Sequence, residues 1–475
     1  MHNDEMFMNP TKVNTVVNEH RTKIEYSEKT HLIEQSSYRY SLQERDDANL
    51  YRQLFDYESV PKVSFNHRYV PLHMPENIWI TDTTFRDGQQ AQEPFTVKQI
   101  VDLYKLLHKL GGENGIIRQS EFFVYSEKDR EALKACQDLG YKFPEITTWI
   151  RANKKDFELV KSLGIRETGV LVSCSDYHIY NKMGLTRQGA FDKYLSVIQE
   201  VLEMGISPRC HFEDITRADY YGFVVPFAEA LQMLSEQYRI PVKIRACDTM
   251  GYGVSYAGAA LPRSVPGIIY GLTHYAGVPS EMIEWHGHND FYKAVTNSAT
   301  AWLYGCSAVN CALLGIGERC GNTPLEAMVM EYASLKGTTD GMDTTVITEI
   351  GEYFKNEIGY NVPPKTPFVG RDFNITKAGI HADGLMKDEE IYNIFNTEKL
   401  LTRPAQVAID SHSGLAGIAH WLKNRCPDDT VNNVDKKSPI VAKMKELIDK
   451  EYENGRTTTM SDAELLEIYA IAKAE

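Results

Sequence analysis

His286-Gly287-His288-Asn289-Asp290 places two imidazoles two positions apart. The run before it, Met282-Ile283-Glu284-Trp285, reads as the end of a short strand. Residues two apart on a strand project to the same side, so His286 and His288 enter one site together. Two imidazoles and a carboxylate are a common ligand set for a catalytic divalent cation. Far upstream, Thr83-Thr84-Phe85-Arg86-Asp87-Gly88-Gln89-Gln90 offers that carboxylate in Asp87. The competing reading is an ordinary polar loop pair, and the elements around the motif decide between the two.

Those elements repeat. Between Asn77 and about Leu335, short apolar runs alternate with longer amphipathic stretches. The predicted strands are Ile78–Thr81, Gly115–Arg118, Glu145–Ile150, Thr168–Ser173, Pro208–Phe212, Val242–Ala246, Met282–Trp285 and Ala308–Leu313. The intervening segments read as helices; Val97–Leu110 sets Ile100, Leu103, Tyr104 and Leu107 on one face. Eight strand–helix units match an α/β fold of the (β/α)8 TIM-barrel type. A doubly wound open sheet is the alternative, but it would want a Gly-rich phosphate turn after the first strand.

A TIM barrel builds its site at the C-terminal ends of its strands, and the polar residues of this chain collect there. Arg86 and Asp87 follow the first strand, Arg151 the third, Ser175 and Asp176 the fourth, and Glu213 and Asp214 the fifth. Asp248 and Thr249 follow the sixth, His286 and His288 the seventh, and Glu318, Arg319 and Asn322 the eighth. Arg151 suits the distal carboxylate of a dicarboxylic substrate or, alternatively, a surface or helix-dipole partner. The cysteines near strand ends, Cys174, Cys210, Cys247 and Cys311, read as small apolar residues of the barrel interior.

Composition narrows the rest. With 43% hydrophobic and 24% charged residues the chain is an ordinary globular protein, and 475 residues exceed one usual core. The expected organisation is an N-terminal extension (1–75), a catalytic barrel (76–360) and a linker with a smaller, mainly helical C-terminal region (361–475). The linker begins at Val362-Pro363-Pro364-Lys365-Thr366-Pro367. A formal net charge of −14 argues against nucleic-acid or anionic-membrane partners. No apolar run reaches the length of a membrane span. The eight cysteines form no CxxC pair, which favours reduced thiols and a cytoplasmic location.

The motifs together resemble the Claisen-condensing branch of the metal-dependent TIM-barrel lyases and synthases, the DRE-TIM metallolyases. The branch includes isopropylmalate, homocitrate and Re-type citrate synthases. The resemblance runs from about Trp79 to Trp421 and rests on motifs in a fixed order. These are Arg86-Asp87-Gly88, Ser175-Asp176-Tyr177-His178, Glu213-Asp214, Asp248-Thr249-Met250-Gly251, the His286–Asp290 motif, Gly315–Asn322 and Gly379-Ile380-His381. It implies that acetyl-CoA and a 2-oxo acid meet at a divalent cation, with Mn2+ or Co2+ favoured and Mg2+ or Zn2+ as alternatives. Asp87, His286 and His288 are the implied ligands, with Asn322 either a fourth ligand or the holder of a bound water. Arg86 would donate to the carbonyl oxygen, and Thr249, Ser175 and His178 would line the substrate pocket. The resemblance also implies that Glu213 works with His381 and Tyr392 in enolising the thioester, and that the latter two come from the partner subunit of a homodimer.

Two departures bear on the substrate. Asn114–Phe123 does not follow the Ile-Glu-x-Gly-Phe-Pro pattern of the isopropylmalate and homocitrate enzymes, with Gln119 where they place a glutamate; Gln89 replaces the usual acidic residue after Asp-Gly. Both incline the reading to oxaloacetate, with homocitrate or isopropylmalate synthesis as alternatives. An acyl-CoA lyase or aldolase on the same barrel is a further alternative, disfavoured by the long C-terminal region. A non-enzymatic metal-binding barrel is the last.

Overall fold

The computed structural model describes residues 24–27, 32–35, 40–151, 154–426, 428, 431 and 433–474. Most of the expected N-terminal extension before residue 40 lies outside the described residues. The chain divides into two compact units, one up to Met342 and one from Asp343.

The first unit is built on a closed barrel of eight parallel strands. In chain order they are β1 Trp79–Asp82, β2 Ile117–Phe122, β3 Glu145–Ile150, β4 Glu167–Ser173, β5 Ser207–Glu213, β6 Lys243–Asp248, β7 Ile283–Gly287 and β8 Ala308–Cys311. β8 closes on β1 with Ala308 beside Trp79 and Asn310 beside Thr81. Each expected strand is present. The main difference is β2, which begins two residues after its predicted start and runs on to Phe122. Gln119 and Glu121, polar residues beyond the predicted end at Arg118, belong to the barrel wall and meet charged partners inside.

The helices form for ordinary reasons. The helix α1, Val97–Gly111, opens on a capping box in which Thr96 and Gln99 exchange side-chain and backbone hydrogen bonds. Its buried face is Ile100, Leu103, Tyr104 and Leu107. Each aliphatic residue fully buried there contributes about 1.5–3 kcal/mol.

The barrel interior is unusual in its chemistry. Thr81 bonds Glu284, and Arg245 Nη1 lies 3.1 Å from Glu121 Oε2, although neither pair is on neighbouring strands. Such contacts can only be made through the middle of the barrel. Arg209 reaches Glu167 and Gln119 directly and lies 3.5 Å from Glu284. Lys243 pairs with Glu167 at 2.6 Å. Barrel interiors are more often filled with branched apolar side chains. With Arg209 and His211 pointing inward, their neighbour Cys210 faces the surrounding helices, not the interior as expected from the sequence. The same alternation turns Cys311 outward beside Asn310.

The second unit packs helices Leu415–Arg425, Pro439–Glu453 and Asp462–Ala474 around Ile418, Trp421, Met444 and Leu465. Residues 343–360, assigned from composition to the barrel, belong to this unit. Hydroxyls of Thr344 and Thr348 donate to the carbonyls of Leu400 and Leu401, which ties helix Val346–Tyr353 to the segment after the proline-rich linker. Among the described residues no helix is long and apolar enough to cross a membrane.

Removing one member of a buried ion network leaves the others uncompensated. Arg245→Ala is expected to lower unfolding free energy by about 3–5 kcal/mol, read by urea denaturation followed by circular dichroism. The network also sets the acid limb. Burial pushes the Glu284 carboxyl up, but Arg209 and Arg245 outweigh it and hold the group down at about 2. A depressed carboxylate contributes stability that is complete above its unfolded pKa, near 4.5, and is lost as pH falls from there towards 2. Glu284→Gln should flatten the stability profile in that window; an unchanged acid limb would refute the assignment.

Candidate active site and metal centre

Three buried donors converge at the C-terminal mouth of the barrel. Asp87 sits in the tight turn after β1, where the backbone N–H groups of Arg86 and Gly88 both donate to the Thr83 carbonyl. His286 lies on β7, and His288 follows directly after it. Their Nε2 atoms are 3.3 Å apart, and each lies 3.8 Å from Asp87 Oδ2. The three offer ligand atoms that all fall within 4.8 Å of one another.

A chain of hydrogen bonds fixes the tautomer of His286. Thr81 donates its hydroxyl to the Glu284 carboxylate, so Thr81 Oγ1 accepts from Asn310 Nδ2 at 3.0 Å. The Asn310 amide is thereby oriented with Oδ1 towards His286 Nδ1, 2.8 Å away. Nδ1 must carry the proton, and the Nε2 lone pair is left facing Asp87 and His288.

Electrostatics agree with a ligand set. Burial would push the Asp87 carboxyl up; Arg86, then the two imidazoles, hold it well below the usual carboxylate range. Burial, followed by the neighbouring imidazole, pushes His286 down to about 3, and burial also lowers His288. The site therefore presents one anionic oxygen and two neutral imidazoles. Asp87 Oδ2 and Asn322 Oδ1 are buried acceptors with no hydrogen-bond partner. An unmet buried acceptor costs about 1–3 kcal/mol, and a divalent cation would satisfy these donors together. The residues thus fit a metal.

Asn322 reaches the site through the loop after β8. Its backbone N–H donates to Gly315 O at 2.9 Å and its Nδ2 to Ile316 O at 3.0 Å, leaving the side-chain oxygen free of protein donors. Gly321 makes this turn possible. Its φ is +88°, and an added Cβ would lie 2.1 Å from Gly315 O.

Arg86 is clamped beside Asp87. Its Nε donates to Glu121 Oε2 at 2.7 Å and its Nη1 to Asp87 Oδ1 at 3.0 Å, and its guanidinium lies 5.7 Å from the Trp149 ring. Glu121 is fully buried, yet Arg245 and Arg86 hold it well below its ordinary value against that burial. Sequence reasoning missed Glu121 because the predicted β2 stopped at Arg118. Period-two alternation continued to Phe122 would have placed it inside.

A second polar group flanks the mouth. His178 Nδ1 lies 3.0 Å from Glu213 Oε2, and Lys182 Nζ lies 3.6 Å from the same oxygen. Burial raises the Glu213 carboxyl, but His178, Ser173 and Lys182 bring it down to about 2. A carboxylate stabilised this far is a weak proton acceptor and a strong orienting partner. The Ser175 hydroxyl donates to Asp214 Oδ2 at 2.5 Å, and Thr249 Oγ1 accepts from Asp214 N at 2.8 Å. Asp214 thus joins the loops after β4 and β6.

Arg151 falls on the rim. Its side chain is largely exposed, lies 4.6 Å from the Tyr125 ring and reaches Asp156 at 3.4 Å. His381 and Tyr392 belong to the second unit. His381 stands on helix Gly379–Lys387, its ring 4.3 Å from that of Tyr392, with Nδ1 3.2 Å from Thr376 Oγ1.

The relay through Asn310 gives a prediction independent of catalysis. Calorimetric titration of the purified protein with Mn2+ should give one tight site, lost in His288→Ala. Asn310→Leu should weaken it by about 10–100-fold, because the His286 tautomer is no longer held. Equal affinity in Asn310→Leu would reject the relay.

Comparison with known proteins places the chain. It is 55% identical to a citrate (Re)-synthase of Clostridium kluyveri, over 90% of this chain and 95% of that protein. It is also 55% identical to a citrate (Re)-synthase of Syntrophus aciditrophicus, over 90% of this chain and 68% of that protein. A 2-phosphinomethylmalate synthase of Streptomyces hygroscopicus is 35% identical over 90% of this chain and 96% of its own length. The HMGL-like family model matches residues 77–353, from just before β1 to the end of helix Val346–Tyr353. With its buried Asp87–His286–His288 cluster on that matched barrel, the chain belongs to the HMGL-like family.

Proposed function

We propose that the chain condenses the acetyl group of acetyl-CoA with oxaloacetate, releasing citrate and CoA. The observation that carries this reading is the high identity, along nearly the whole chain, to two proteins named for citrate synthesis. The buried Asp87–His286–His288 set with Arg86 beside it supports the same chemistry.

When held by Asp87, His286 and His288, with Asn322 beside them, a divalent cation supplies Lewis-acid polarisation of the keto group. Mn2+ or Co2+ is favoured, and Mg2+ and Zn2+ suit the mixed oxygen and nitrogen donors too. Arg86 adds a fixed positive charge where the keto oxygen gains negative charge. Glu121 and Asp87 hold its fork in place, so little reorganisation is needed as that charge develops. His178 and Thr249 line the pocket, and Ser175 steadies it through Asp214. The thioester methyl is a weak acid and needs a positioned base. That role goes to His381, with Tyr392 against its ring, supplied by the second subunit of a homodimer; Glu213 orients the proton transfer. The eight cysteines are all free, which suits the reducing cytoplasm.

The deciding experiment offers purified protein, acetyl-CoA and Mn2+ to oxaloacetate, 2-oxoglutarate and 2-oxoisovalerate in turn, while free thiol is read. Oxaloacetate should give the highest kcat/KM. 2-Oxoglutarate is one methylene longer, a difference worth about 1–3 kcal/mol, so a preference of about tenfold or more is expected. A higher kcat/KM with either competitor would overturn the substrate and keep the condensation. Chelation should abolish thiol release. Mixing inactive His381→Ala and Asp87→Ala proteins under verified subunit exchange should recover part of the activity; no recovery would place the whole site in one chain.

A further inference from the structure

Residues 40–73 precede the barrel and run over the loops that carry Ser175, His178, Glu213 and Thr249. Three of those loops are tied by this one segment. After β4, Asp176 Oδ2 accepts from Asn49 N at 2.7 Å, and the Tyr177 hydroxyl donates to Leu50 O at 2.7 Å. After β5, Gly222 O accepts from Gln43 N at 2.9 Å. After β6, Tyr252 packs with Tyr51, Leu54 and Phe55, and its hydroxyl donates to Pro61 O at 2.9 Å.

A buried charge locks the junction. Arg187 is wholly buried and pairs with Asp176 at 2.8 Å and Asp219 at 2.9 Å. Its Nη1 also donates to the Gln43 carbonyl at 2.9 Å. A second observation points to the same place. Within the first unit, the described π-helical turns are Tyr177–Lys182 and Tyr220–Val224. These wide turns are rare and frequently mark functional sites. The segment grips both, and His178 stands on the first, 3.0 Å from Glu213.

We propose that residues 43–61 form a clasp that positions His178 against Glu213, making this segment part of the active-site construction although it meets no reacting atom. Asn49, Phe55 and Tyr177 are its positioning residues. The proposal rests on the reading of this mouth as the site of thioester condensation.

The test uses full-length protein in a double-mutant cycle. Tyr177→Phe removes the hydroxyl bonded to Leu50 and keeps the ring that Arg217 covers at 4.1 Å. Phe55→Ala loosens the anchor on Tyr252, and Phe55→Leu largely restores it. Misplacing a group that acts in the transition state costs about 10–100-fold, so Tyr177→Phe and Phe55→Ala should lower kcat by that order, with both KM values within about twofold. Phe55→Leu should recover most of the loss. In a Glu213→Gln background the same changes should have almost no further effect, because positioned residues act as one unit. Hydrogen exchange of residues 174–187 should rise in Tyr177→Phe while the barrel strands stay protected. An equal fold-loss with and without Glu213, or full kcat despite faster exchange, overturns the clasp. If Phe55→Ala does not fold, Tyr177→Phe decides alone. Wild-type protein that releases no CoA from any 2-oxo acid would defeat the functional reading instead, and the exchange measurement would still judge the clasp.

Discussion

The charged network inside the barrel is the constraint on which the rest of the structure depends. Glu121 and Glu284 are fully enclosed, and Arg245 touches both, with Arg86 on one side and Arg209 on the other. Neither carboxylate could remain ionised in that environment without its guanidinium partners, and neither guanidinium could be desolvated without the carboxylates. The members are obligatory to one another. They come from β2, β5, β6, β7 and the turn after β1, so satisfying them fixes how those strands face each other.

The site inherits its geometry from this network through two routes. Glu121 anchors Arg86, which in turn holds Asp87 ionised. Glu284 orients Thr81, Thr81 orients Asn310, and Asn310 selects the His286 tautomer. A divalent-metal site needs an anionic oxygen and neutral imidazoles with lone pairs turned inward, and both conditions are met before any ligand arrives. An apolar interior of equal volume often matches or exceeds a buried ion network in stability. It would leave Arg86 and His286 free to turn, and a pre-oriented site is what makes electrostatic stabilisation effective.

Above the network the mouth is held by different means. The loops after β4 and β5 carry short helical turns, Tyr177–Lys182 and Tyr220–Val224, and these are held from outside. Asp214 links the loops after β4 and β6 through Ser175 and Thr249, and residues 43–61 cross the loops after β4, β5 and β6. The pocket is therefore rigid at its floor through ion pairs and at its rim through backbone bonds to a segment distant in sequence. Asp176, next to Ser175, accordingly pairs with Arg187 at the junction with this segment.

The sequence by itself determined the strand–helix repeat, because alternation between short apolar runs and amphipathic stretches is a local property. It also pointed to the Asp87–His286–His288 cluster, because residues two apart at a strand end share a face and strand ends of such a barrel converge. Other residues were decided only by the tertiary structure. Glu121 lies beside Phe122, past the predicted end of its strand; its role exists only because Arg86, from the turn after β1, and Arg245, from β6, approach it. Arg151 occupies a strand end like Asp87 and His286, and only the positions of Tyr125 and Asp156 hold its charge at the rim. The extension carries no motif at all. Many of its contacts use backbone carbonyls and amides of Gln43, Asn49, Leu50 and Pro61, which every sequence possesses, and the apolar side chains of Tyr51, Leu54 and Phe55 find their partner Tyr252 only in the folded chain.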